Sequence, residues 1–151
     1  MATERKPNPY PYTQFNFTVD LGDGVQAGFQ EISNIGTEMT VVEYRNGNHP
    51  TNNVTKITGL NKMTDVTLKR GAIGVLDLYN WLDAIRDGAS NGVRNVTIGL
   101  RSEDVTNPAP VLTWRLINAR IIKYVAGPLN AKSSEVAMEE LTLSYEVLEM
   151  E

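Results

Sequence analysis

Chemistry at a protein site needs a nucleophile beside its base, a set of metal ligands, or carboxylates whose surroundings push their proton affinities apart. His49 is the only histidine of the 151-residue chain, and cysteine is absent. A Ser-His-Asp triad would have to be built on His49, which stands between Asn48 and Pro50 in a long polar segment, where nothing fixes an imidazole in one orientation. It reads as a surface-loop residue. Without cysteine there are no disulfides, thiolate zinc sites, iron–sulfur clusters or cysteine nucleophiles. One histidine and no cysteine rule out a zinc site of the His-rich or Cys kind, and the oxygen-rich pattern of an EF-hand loop is absent. Neither a metal nor a cofactor is expected.

The remaining candidates are equally thin. Glu135, Glu139, Glu140, Glu146, Glu149 and Glu151 crowd the C-terminal segment, and two carboxylates could serve a glycosidase. Alternation, however, places Glu140 and Glu146 on the polar face of a strand, as solvated or interfacial charge. Gly22, Gly24 and Gly28 resemble a dinucleotide loop but join two strands, with no helix N-terminus to hold a phosphate. The sequons at Asn16, Asn53 and Asn95 are set aside, since no secretory signal is visible. The chain is not expected to be an enzyme.

The elements that would position any site are mostly strands. Residues 1–11, with Pro7, Pro9 and Pro11, read as an extended arm before a single domain over 12–151. Phe15, Phe17, Val19 and Leu21 alternate with polar residues, and a strand over 25–32 is expected to return as a hairpin. A strand over 39–45 leads into the polar loop 46–53. Strands over 54–60 and 64–70 are expected to pair through Gly59-Leu60-Asn61-Lys62. From Val75 to Asp87, Val75, Leu78, Leu82 and Ile85 recur at helical spacing, with Asp77, Asn80, Asp83 and Arg86 outward. Gly88 is the expected terminator.

Strands then follow at 93–101, at 111–118 with Leu112, Trp114 and Leu116 inward, at 119–125, and along a C-terminal segment with Leu141, Leu143, Tyr145 and Val147 on one face. Ile121 and Ile122 face opposite sides, as do Tyr124 and Val125, so that strand needs cover on both faces. Phe15, Phe17, Trp81, Trp114 and Tyr145 fall in phase with apolar neighbours and are assigned to the core.

Composition agrees with one folded domain: 41% hydrophobic, 21% charged, net charge −4. The acidic balance and the lack of basic runs exclude the electrostatic footprint of a nucleic-acid binder. No run of 18 apolar residues occurs, so stable membrane insertion is not expected, and synthesis in the cytoplasm is. A small β-domain with an extended arm, a long loop, a two-faced apolar strand and no evident pocket points to contacts with copies of itself through exposed sheet edges. A head-to-tail contact of that kind closes into a ring or continues as a filament.

Four segments carry a resemblance: Val42-Glu43-Tyr44-Arg45-Asn46-Gly47, Thr67-Leu68-Lys69-Arg70-Gly71, Trp114 in its strand, and Ser134 to Leu143 followed by Tyr145-Glu146. Together, from about Phe15 to Glu149, they resemble the inner-tube protein of contractile phage tails and related injection systems. Ser33-Asn34-Ile35-Gly36 departs from the Ser-Gly-Leu-type turn of many relatives. The resemblance implies a mainly β protomer, a small barrel or sandwich with one flanking helix at about 75–87. Six protomers would close into a ring with a continuous inner β-barrel, and rings would stack into a hollow tube.

The implied partners are other copies of the chain, a contractile sheath, baseplate or hub and tube-terminator proteins, and DNA or effector cargo passing without sequence-specific binding. Six copies at −4 each would carry −24, and an acidic bore would repel a polyanion. Candidate contact residues are Tyr10, Tyr12, Arg45, Asn46, Asn48, His49, Asn52, Glu140, Glu146 and Glu149. Two other readings stand beside this one. One is a monomeric β-barrel binding module with an apolar pocket, the other a tube-end initiator or adaptor of the same fold.

Overall fold

The computed structural model describes residues 11–22, 26–74, 76–103, 106 and 109–151. In chain order its elements are β1 (Phe17–Asp20), β2 (Gln26–Ala27), β3 (Glu31–Ile32), β4 (Thr37–Tyr44), β5 (Thr55–Met63), β6 (Val66–Gly71), α1 (Asp77–Arg86), β7 (Arg94–Arg101), β8 (Pro110–Ala126), β9 (Met138–Ser144) and β10 (Val147–Met150), with a 3-10 turn at Ser90–Gly92. Eight strands form one antiparallel sheet in the order β2-β1-β7-β8-β9-β6-β3, with β10 also on β8, while β4 and β5 form a separate ribbon. The protomer is mainly β with a single helix among the described residues, and its sheet path is open between β2 and β3.

β8 makes this topology possible. Its N-terminal half pairs with β7 and β10, its C-terminal half with β9. Between them Asn118 adopts φ 55°, a left-handed conformation that Asn tolerates better than most residues. Asn118 donates on both sides: its backbone N–H to Asn95 Oδ1 at 3.1 Å and its side-chain Nδ2 to Glu146 Oε2 at 2.8 Å. The bend folds the two halves around a core of Val19, Val66, Leu68, Val96, Ile98, Leu116, Leu141 and Leu143.

The helix closes the core with Leu78 and Trp81, both buried, and Leu82 and Ile85 pack beside them. Trp81 Nε1 donates to the Gly92 carbonyl at 2.8 Å, and the Arg94 guanidinium covers the indole at 4.9 Å. At the C-terminus Gly88 (φ 70°) donates to Ile85 O and Ala89 to Ala84 O, a Schellman closure at the glycine the sequence marks. Val75, expected on the apolar face, lies outside the described residues. Asp77, expected outward, turns inward instead, toward Arg70.

That inward turn belongs to a buried ion cluster. Arg70 is 3% exposed. Its Nε donates to Glu139 Oε1 at 2.5 Å, and Nη1 and Nη2 donate to both Asp77 oxygens. Tyr124 OH donates to Glu139 Oε2 at 2.6 Å, and the guanidinium lies 5.6 Å from the Phe29 ring centre. One cation thereby ties together β6, β9, β8 and the start of α1. Burial works against its charge, but the hydrogen bonds and charges of Asp77 and Glu139 outweigh it and hold the Arg70 pKa above its ordinary value. Burial likewise disfavours the Asp77 carboxylate, but the hydrogen bonds and charge of Arg70 overcome it and hold that carboxyl below the ordinary range. The hydrogen bond to Glu139, then burial, push the Tyr124 phenol up.

Several strand expectations are corrected. The strand returning over 25–32 is split: β2 pairs with β1, while β3 joins the opposite end of the sheet beside β6. The loop 46–53 is itself the hairpin connection between β4 and β5, and Gly59 to Lys62 lie within β5, which does not pair with β6. The segments 111–118 and 119–125 are one bent strand. The C-terminal segment breaks at Tyr145-Glu146 into β9 and β10, which leaves Val147 exposed. Phe15, assigned to the core, is exposed, and Trp114 is only partly buried.

Removing the cation of the cluster should be severe, because two carboxylates would be left facing each other in a poorly solvated site. Arg70→Leu is expected to cost about 3–5 kcal/mol. Asp77→Asn is expected to cost about 1–2 kcal/mol at neutral pH. Since the folded-state pKa of Asp77 is depressed, its contribution is fully present above about pH 4 and is lost as pH falls through that lower value. Urea denaturation of wild type and variant across pH 7 to 2 should therefore show the gap between them closing at the acid end.

Candidate functional site

Among the described residues no three His, Cys, Asp or Glu side chains gather into a metal-holding group, and the functional candidates are surfaces. The first is the ribbon β4–β5. Every residue from Thr37 to Lys62 is exposed, including Met39, Val41, Val42, Tyr44, Ile57 and Leu60. The ribbon is rooted where Thr37 faces Met63 and Thr64 N–H donates to Gly36 O, and from there it stands off the body.

Register assigns its faces. Val42 lies opposite Ile57 and Tyr44 opposite Thr55, while Val41 opposite Thr58 and Met39 opposite Asn61 occupy the other face. Glu43 faces Lys56 and Glu38 faces Lys62, so the ribbon's charges compensate each other across the strands. An irregularity falls between Met39 and Val41. There Gly59 comes so close to Thr40 that an added Cβ would sit 2.5 Å from Thr40 Oγ1 and 3.1 Å from its carbonyl, which is why a glycine occupies the bulge.

Five of the expected contact residues meet at the ribbon's tip. Arg45 donates from Nε and Nη2 to Thr51 O at 3.3 and 3.1 Å. Tyr44 OH donates to Asn46 Oδ1 at 2.6 Å, and Asn46 O accepts the His49 N–H. His49 Nδ1 lies 3.2 Å from Thr51 Oγ1, and Asn48 and Asn52 are exposed alongside. These bonds give the tip a definite shape.

The other expected residues are elsewhere. Glu140 is half-buried on the face of β9 that looks away from the core, in a shallow depression with Glu31, Ser33, Thr67 and Lys69. Glu146 sits on the turn between β9 and β10, 3.6 Å from Arg120 and bonded to Asn118. Glu149 lies on β10 opposite Arg115. Tyr12 is half-buried just before β1, and Tyr10 lies outside the described residues. The ten candidates therefore occupy separate surfaces rather than one cluster.

Sequence reasoning missed the ribbon's apolar stem. The signal was present, since Val41-Val42 are consecutive apolar residues in a strand and so face opposite sides, the same criterion that singled out Ile121-Ile122. In the latter case alternation alone puts Ile121 in the core and leaves Ile122 exposed, so the cover expected on both faces of that strand is absent within the protomer at Ile122.

The chain's similarities agree with a fold that leaves so much apolar surface open. A family model described as T4-like virus tail tube protein gp19 matches residues 13–149. Comparison with curated proteins finds no match. Among solved structures, a chain of the sheath–tube complex of an extracellular contractile injection system, PVC, in the extended state is 26% identical, with TM-score 0.82 over 95% of this chain and 93% of that one. A chain of the anti-feeding prophage tube-terminating cap is 25% identical, with TM-score 0.83 over 98% and 95%. Hcp1 from Flavobacterium johnsoniae, 12% identical with TM-score 0.55 over 89% and 93%, shares the fold alone.

Because Thr37 and Met63 already face each other, residues 38–62 can be replaced by an Asn-Gly turn between them. The shortened protein is expected to keep its thermal midpoint within about 4 °C, a change of about 1 kcal/mol at this size. Calorimetry checks this, and a loss of cooperative unfolding would show that the ribbon belongs to the folding core.

Proposed function

The chain belongs to the T4-like virus tail tube protein family, a family of structural tube proteins, and on that premise we propose that it is the repeating subunit of a contractile tail or injection system, closing six to a ring whose rings stack into a hollow tube. The observation that carries this reading is the β4–β5 ribbon, exposed from Thr37 to Lys62 and carrying apolar side chains on both faces. A two-stranded ribbon is marginal in water by itself, and open edges with apolar faces are an aggregation hazard unless a partner covers them. In a tube the partner is another copy.

In this reading the open ends of the sheet, at β2 and β3, pair with neighbouring protomers and continue the sheet around the bore. The ribbon tip at Arg45, Asn46, Asn48, His49 and Asn52, the arm with Tyr10 and Tyr12, and Glu140, Glu146 and Glu149 supply contacts within and between rings. A sheath surrounds the tube, a baseplate nucleates it and a terminator ends it. DNA or effector cargo passes through a bore whose six protomers, at −4 each, carry −24 in total.

A second reading, a tube-end adaptor, is favoured by the similarity to a chain of the anti-feeding prophage cap. The two separate by length of assembly. Electron microscopy of the purified protein across a concentration series, with baseplate components added to nucleate growth, is expected to show six-fold rings and tubes of uniform bore that lengthen with concentration. Single rings that never stack would favour the adaptor, and a monomer under all conditions would overturn both. Val42→Thr with Ile57→Thr, both on the exposed ribbon, should leave stability within about 0.5 kcal/mol of wild type while reducing the pelleted fraction.

A further inference from the structure

The sequence holds two Asn-Gly pairs, Asn46-Gly47 and Asn91-Gly92, and the fold treats them in opposite ways. An asparagine before a glycine is open to attack on its side-chain carbonyl carbon by the next backbone nitrogen, because glycine has no Cβ to obstruct the approach and takes up backbone conformations closed to other residues. Gly92 is tied down: its N–H donates to Ala89 O at 3.0 Å and its carbonyl accepts from Trp81 Nε1 at 2.8 Å. It is also buried, packed so closely that an added Cβ would lie 3.1 Å from Ile85 Cα. Gly47 is the reverse. It is exposed at the ribbon tip, an added Cβ would meet nothing within 4 Å, and among the described residues no hydrogen bond holds its N–H.

We propose that Asn46-Gly47 is a self-modification site, at which the asparagine cyclises onto the glycine nitrogen and reopens as a carboxylate, with the Tyr44 hydroxyl assisting. Hydroxide removes the Gly47 N–H proton, the nitrogen bonds to Asn46 Cγ, and the carbonyl electron pair moves onto Oδ1. That pair then returns, the Cγ–Nδ2 bond breaks, and Nδ2 takes a proton from water and leaves as ammonia. Water opens the resulting succinimide at either carbonyl: cleaving the new Cγ–N bond gives aspartate, and cleaving the original peptide bond gives isoaspartate, whose main chain runs through the side-chain carbon. Tyr44 OH donates to Asn46 Oδ1 at 2.6 Å, the atom on which negative charge develops, and a donor in place before reaction stabilises that charge. Asn48, Asn52 and Asn53 are exposed in the same loop, but they precede His49, Asn53 and Val54, whose side chains crowd the attacking nitrogen. The product makes the tip one charge more negative, next to Arg45.

The reaction needs no second copy, so its test is independent of whether rings or tubes form. Wild-type chain held in mildly alkaline buffer, digested with pepsin in acid and mapped by mass spectrometry, should exchange an amide NH2 for OH at residue 46 while Asn91 stays intact. Electron-transfer fragmentation should find isoaspartate as well as aspartate there, and the rate should rise in proportion to hydroxide. In urea, where the fold no longer distinguishes them, both pairs should react. Tyr44→Phe should slow the folded-state reaction about three- to tenfold, the worth of one exposed hydrogen bond, and leave the rates in urea unchanged. Gly47→Ala should bring Asn46 down to the slow rate of Asn48 and Asn52. An Asn46 that stays intact in the folded chain, an Asn91 that reacts as fast as Asn46, or aspartate without isoaspartate would overturn the proposal. An Asn91 that stays intact even in urea would overturn the part of the fold in choosing between the pairs, and an unaltered rate in Tyr44→Phe would overturn the part of the hydroxyl.

Discussion

Arg70 is the point on which the rest of the protomer turns. A guanidinium removed from water needs its donors satisfied, and here they are spent on Glu139 of β9 and Asp77 of α1, while Glu139 also accepts from Tyr124 of β8. A buried ion cluster of this kind adds little net stability over a well-packed apolar equivalent, but it is intolerant of losing a member. Its effect is geometric: three strands and the helix start are held in one arrangement, with the loops that leave that end of the sheet held alongside. The fixed fork of the guanidinium, which a lysine ammonium could not reproduce, suits this clamp.

Around the clamp the protein divides its apolar residues into two populations. One fills the core between the halves of the bent sheet, with Trp81 and Leu78 closing it. The other is left outside, on the ribbon. Leaving it exposed makes physical sense for a chain that is finished only in assembly, since the same groups that would make a monomer aggregate become interface when copies dock in register. Short terminal strands such as β2 and β3 fit the same logic, because they leave the sheet with open edges, which the proposed ring would pair between neighbouring copies.

The legible part of the fold was the part governed by local periodicity. The helix and its glycine terminator appear in the sequence as a 3.6-residue repeat followed by Gly88, and β6, β7 and β9 as alternation with Leu68, Ile98 and Leu141 inward. The errors came where alternation says nothing of partner. Thr55 to Met63 has the same local character whether it pairs with β4 or with β6, and only the closing of the chain chooses β4. Likewise 110–126 shows no break a reader could tell from a turn, because Asn118 bends the strand without ending it.

By itself the sequence determined the class of the molecule: a β-rich domain with one helix, with no cysteine and a single histidine, and with segments that resemble a tube subunit. Residue types and spacing suffice for this, since side-chain inventory and periodicity are properties of the chain alone. Only the tertiary structure decided that Asp77 turns inward to Arg70, that Glu139 rather than Glu140 is the buried carboxylate, and that the apolar stem of the ribbon stands in solvent. Each of those depends on which distant segments become neighbours, Arg70 and Glu139 being 69 residues apart. Burial and pairing at that range are set by the packing of the whole fold, and no local pattern encodes them.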